Sequence, residues 1–162
     1  MPGAVWTTEC ADGERVHLQS AAIVEHLAGT LGRFQGPDPA TRQAVREWLY
    51  WDVEGLFPSI FGCYTARLQK LLPINVEPAI ADYHRRRAET ALSVLDSHSN
   101  FLCAADPTIA DLFCYGDVAF AEICAFDLNR WANVVGWTKR VTALAGFKAP
   151  FELLAMKDAE VL

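Results

Sequence analysis

Apolar residues return every third or fourth position through most of this chain, the spacing of helices that bury one face. Ala21, Ile23, Val24, Leu27 and Leu31 form the first such stripe, with Ser20 placed to cap its start and Gly29 and Gly32 weakening its end. Val45, Trp48, Leu49, Val53, Leu56 and Phe57 share one broad face of a long helix that opens at Asp38 or Pro39. Pro58 is expected to kink or end that helix. Ile60, Phe61, Tyr64, Leu68 and Leu71 continue the pattern as a second piece, and Pro73 and Pro78 bracket a break. A further helix is expected over 78–98, with Ile80, Tyr83, Ala88, Ala91, Leu92 and Leu95 inward. The last is expected over 131–144, through Val134, Val135, Trp137, Val141 and Leu144, with Gly146 left-handed at its end. A tail with Phe147, Pro150, Phe151, Leu153 and Leu154 follows.

Only the start alternates with period two. Strand formers from Val5 to Cys10 and the run Arg15-Val16-His17-Leu18 flank a turn signal, Ala11-Asp12-Gly13-Glu14. Two strands alone are marginal in water, so this hairpin must lean on other elements. Gly36-Pro37-Asp38-Pro39 is the clearest linker. It divides the chain into residues 1–34 and 35–162. Thr108 and Asp111 have the spacing of a capping box ahead of the apolar run from Leu112 to Phe120. Asp111 is therefore first a folding residue. The basic run His84-Arg85-Arg86-Arg87 reads as a solvated helix face.

Hydrophobic residues make up 52% of the 162 positions and charged residues 21%, enough for a buried core rather than disorder. The net charge of −6 lacks the basic footprint of a nucleic-acid or anionic-membrane surface, so neither partner is expected. No apolar run reaches membrane-span length, and Met-Pro-Gly-Ala-Val-Trp at the start has no secretion-signal pattern. The five cysteines, Cys10, Cys63, Cys103, Cys114 and Cys124, are odd in number and contain no C-x-x-C pair. Reduced core thiols in a cytoplasmic protein are expected, with no metal site.

In order along the chain, these segments resemble a glutathione S-transferase. Asp12-Gly13 in a hairpin, Leu18-Gln19-Ser20-Ala21-Ala22-Ile23 and His26-Leu27-Ala28 resemble the end of that family's thioredoxin-like domain. Glu47-Trp48-Leu49-Tyr50-Trp51-Asp52 is similar to the first long helix of its all-helical domain. Leu102 to Asp111 resembles its L-x-G-x-x-P-T-I-A-D segment, with alanine or cysteine in place of the glycine. Trp137-Thr138-Lys139-Arg140-Val141 and Leu144-Ala145-Gly146-Phe147 resemble its closing motif. The implied fold is mainly α: a glutathione-transferase C-terminal-like bundle, with a short hairpin and helix left from a truncated thioredoxin-like domain.

The resemblance also implies function. Glutathione is the implied co-substrate, with Gln19 and Ser20 matching the part that holds its γ-glutamyl end. Tyr50, Trp51, Glu54 and Phe57 are the implied wall of the acceptor pocket for a small apolar electrophile. The family's catalytic Tyr, Ser or Cys lies in a preceding β-α-β-α portion that has no counterpart here, so no residue is assigned to catalysis. Near the place of the family's cis-proline stands Trp6. Weak or no conjugation is therefore expected of this chain alone. The competing expectation is a non-catalytic interaction or scaffold module built on the helical domain. A homodimer is expected in either case, because an orphan hairpin leaves strand edges to be paired or covered.

Overall fold

A computed structural model describes residues 9–12, 15–69 and 74–153. The expected strand residues from Val5 to Thr8, the turn residues Gly13 and Glu14, Leu71, Pro73 and Leu154 lie outside the described residues. Strands β1 (Glu9–Asp12) and β2 (Arg15–Leu18) pair antiparallel, with Glu9 opposite Leu18 and Asp12 opposite Arg15. Ala11 and Asp12 thus belong to the ladder rather than to the turn assigned them from sequence.

Helix α1 (Ser20–Leu31) follows at once. Its N-cap is Gln19, not Ser20: Gln19 has φ 74 and ψ 120, and its carbonyl accepts from the Ile23 amide at 2.9 Å. Ser20 is the first residue of the helix proper. Gly32 ends α1 in the left-handed region at φ 63, its amide bonded back to the Gly29 carbonyl. Phe34 also has a positive φ, of 63, and its carbonyl accepts from the Ile109 amide at 2.8 Å.

Helix α2 (Pro39–Trp51) starts as its sequence requires. Pro39 fits a first-turn position, and Asp38 Oδ1 accepts from the Thr41 amide at 2.9 Å. Pro58 does not end the helix. A π turn (Asp52–Leu56) leads directly into α3 (Phe57–Leu68). The Phe57 amide reaches back to the Asp52 carbonyl, five residues away. Proline has no N–H, so the Glu54 carbonyl loses its helical donor. Arg87 Nη2 supplies one instead at 2.9 Å. The basic run is therefore only partly a solvated face. Arg85 lies over the Phe126 ring at 4.5 Å, and His84 sits where a Cβ at Gly62 would overlap its ring. That glycine lets α3 and α4 (Pro78–Asp96) approach closely.

Helices α5 (Ile109–Val118) and α6 (Ala132–Thr142) complete the bundle, and a short α7 (Pro150–Leu153) ends the described chain. Asp96, at the end of α4, accepts from the Asn133 amide at 2.8 Å and the Val134 amide at 3.2 Å, capping α6 from a neighbouring helix. Gly146 is left-handed, φ 79, as its position after the last stripe predicts. The core joins Leu49 and Leu56 of the long helix to Leu92, Val118, Val134 and Trp137, all buried. Of the four described cysteine side chains, Cys114 and Cys124 are in this core and Cys63 and Cys103 are half-buried, all four free thiols. No described helix is long and apolar enough to cross a membrane.

Candidate functional site

The capping box predicted at Thr108 and Asp111 is formed, and it holds more than the helix start. Asp111 is fully buried. Its Oδ2 accepts from the Thr108 amide at 2.8 Å and hydroxyl at 3.1 Å. Its Oδ1 accepts from the Leu102 amide at 2.9 Å and from Trp137 Nε1 at 2.9 Å. One carboxylate thereby ties the connector, the start of α5 and the centre of α6 together. This is the arrangement a buried charge requires. It leaves no lone pair for a substrate, which fits the folding role read from sequence.

A different arrangement lines a cleft of about 1080 Å³ between α1, α2 and α5. Ala21, Val24 and Ala28 form one wall. Leu49, Tyr50, Val53 and Phe57 form the second, and Leu112, Phe113 and Gly116 the third. Gln19 and Ser20 stand at its rim. Four of the residues singled out from sequence, Gln19, Ser20, Tyr50 and Phe57, thus meet on one cavity. Trp51 and Glu54 are not among its lining. Trp51 packs edge-on against Trp48 at 4.9 Å, and Glu54 is exposed, with its carbonyl bound by Arg87. The helical period explains this for Trp51, which is rotated away from the Tyr50, Val53, Phe57 face.

The rim is built from backbone. Helix α1 carries no acidic side chain in its first turn and no side-chain cap. Its first amides have no partner within the helix, and the helix dipole favours an anion there. The positive φ of Gln19 is uncommon for a residue with a Cβ and costs on the order of 1–3 kcal/mol. Arg46 and Glu25 join α2 to α1 at 2.8 Å nearby.

Two acids face each other deeper in the cleft. Asp52 is 1% exposed, and Asp117 of α5 is half-buried. Burial, then the neighbouring Asp117 carboxyl, pushes Asp52 up to about 8. Burial raises Asp117 as well. Side by side and shielded from water, the two acids hold their protons above the ordinary aspartate range. Cys114 completes the group, and burial followed by the surrounding carboxyls holds its thiol protonated. Sequence reasoning missed this pair. One signal was present: Asp52 continues the stripe Val45, Leu49, Leu56, where an apolar residue is expected.

Comparison with known proteins places this geometry. No family model matches the chain. Among curated proteins, the disulfide-bond oxidoreductase YfcG of Escherichia coli is 27% identical over 144 residues, 87% of this chain and 66% of the relative. The chain thus spans about two thirds of that relative's length. Among solved structures, a glutathione S-transferase from Xanthobacter autotrophicus is 30% identical with a TM-score of 0.75, covering 86% of this chain and 70% of that one. A possible glutathione S-transferase from Rhodopseudomonas palustris is 28% identical with a TM-score of 0.73, covering 88% and 65%. At this identity and coverage, the chain belongs to the glutathione S-transferase family.

Proposed function

We propose that this is a glutathione S-transferase-like protein whose cleft holds glutathione at the Gln19–Ser20 rim and a small apolar electrophile against Tyr50 and Phe57. The observation that carries the reading is the meeting of these four residues on one cavity. The open amides at the start of α1 suit the γ-glutamyl carboxylate, and the apolar walls suit an uncharged acceptor.

Conjugation needs a thiolate, and the thiolate needs a donor or positive field to form near neutral pH. Of the described residues, neither Cys114 nor Tyr115 is poised to supply one. Burial holds the Cys114 thiol protonated and raises the Tyr115 phenol. Weak or no transfer by this chain alone is the consequence. Calorimetric titration of glutathione tests the binding reading. Saturable heat that Gln19→Ala/Ser20→Ala abolishes supports it, and no heat up to millimolar glutathione overturns it.

A second reading has its own support. Tyr50, Val53, Phe57 and Phe61 are all exposed, and Phe57 stacks on Phe61 at 5.6 Å, giving an apolar ridge along the long helix. Such a ridge fits a homodimer, or an interaction module without catalysis. A strictly monomeric chain by light scattering at micromolar concentration would sink the dimer. The cytoplasm is the proposed compartment, consistent with the free thiols.

A further inference from the structure

We propose that Asp52 and Asp117 form a subsite for a ligand ammonium group, and that the cleft takes primary amines with an apolar body. The pair sits among apolar walls, with Val53 and Phe57 on one side and Leu112 and Phe113 on the other. No N–H or hydroxyl of the described residues reaches Asp52 Oδ1. Two carboxyl groups in such surroundings cannot both be ionised without a cation between or beside them. The cations that line the cleft are engaged elsewhere: Arg46 is held by Glu25 at 2.8 Å, and Arg33 lies over the Phe34 ring at 5.2 Å. A retained proton resolves the conflict in the empty site. A ligand ammonium resolves it better, because it carries a full charge and three donors for the carboxyl oxygens.

Among the described residues no group of three His, Cys, Asp or Glu side chains is placed to hold a metal ion. The acids among apolar walls argue against a neutral ligand, which would leave the pair's net negative charge uncompensated. The remaining class is amphipathic: a protonated nitrogen at one end for the acids, and an alkyl or aromatic body for the walls. This subsite does not depend on glutathione, which the rim residues address.

The test is calorimetric titration of 2-phenylethylamine hydrochloride into the full chain at neutral pH without glutathione, with 2-phenylethanol as the neutral control. Saturable amine binding is expected, at least tenfold tighter than the alcohol. Asp117→Asn, which keeps the side-chain shape and leaves the rim intact, is expected to weaken the amine at least tenfold and to leave the glutathione titration unchanged. Equal affinity for amine and alcohol, amine binding unaltered in Asp117→Asn, or no saturable amine binding overturns the proposal. If Asp117→Asn does not fold, carbon-13 shifts of the aspartate carboxyls in the unaltered chain decide. The amine, and not the alcohol, must move the two signals that titrate above the ordinary aspartate range, and unmoved signals overturn the subsite.

Discussion

Asp111 and Asp52 are equally buried, yet their surroundings are opposite. Asp111 accepts from two amides, a hydroxyl and an indole N–H. Asp52 faces a second acid and a protonated thiol. The first is a charge whose desolvation is offset by donors, so it holds three parts of the fold together. The second is a charge held in check by a proton, so it costs stability where it stands. Burial alone says nothing about which role a carboxylate plays. The donors around it decide, and they separate the region built for folding from the region that lines the cleft.

Removing the first group should do the most damage. Asp111→Ala leaves Trp137 Nε1 and two amides without partners in the core, and is expected to cost about 3–5 kcal/mol in chemical denaturation. A loss below about 1 kcal/mol would break the contrast. The second group should behave in reverse. Unfolded, Asp52 releases its proton near 3.8, whereas folded it keeps it to about 8. The folded chain binds more protons throughout that interval, so this group makes stability fall as pH rises through it. Asp52→Asn should flatten the fall, leaving the variant about 2 kcal/mol more stable than the unaltered chain at the alkaline end. Parallel pH profiles for the two proteins would refute it. At the rim, Gln19→Gly relieves the positive φ and is expected to raise stability by about 1 kcal/mol while weakening glutathione binding. The smallest effect belongs to Glu25→Gln. It removes an exposed ion pair and should shift stability by less than about 0.5 kcal/mol.

The contrast between the two aspartates also marks how far the sequence could be read. Thr108 and Asp111 are three positions apart, and a capping box is a local pattern. The helical stripes are local in the same sense, and so is the left-handed Gly146. Asp52 and Asp117 lie on different helices, and only tertiary packing of α2 against α5 brings them together. Of the two outcomes expected at Pro58, the ending of the helix does not occur, for the same reason. Its effect on the Glu54 carbonyl is absorbed by a π turn and by Arg87 from α4, a donor that nothing near Pro58 announces. Gln19 rather than Ser20 stands at the N-cap, with a positive φ that its residue type does not announce. Of the four proposed wall positions, two line the cleft, since a stretch of helix presents residues to every side.

The bond between the Ile109 amide and the Phe34 carbonyl has a consequence for sequence drift. It joins the segment after α1 to the first turn of α5, and both atoms belong to the main chain. Every residue except proline at position 109 can donate it, and at position 34 every residue carries the accepting carbonyl, proline alone being barred by the positive φ there. Substitution therefore erodes the walls, rim and floor of the cleft far sooner than the joint that sets one helix beside another. A lineage can replace most of its side chains, as relatives at 27% and 30% identity have done, and still hand its descendants a cleft in the same place to refill.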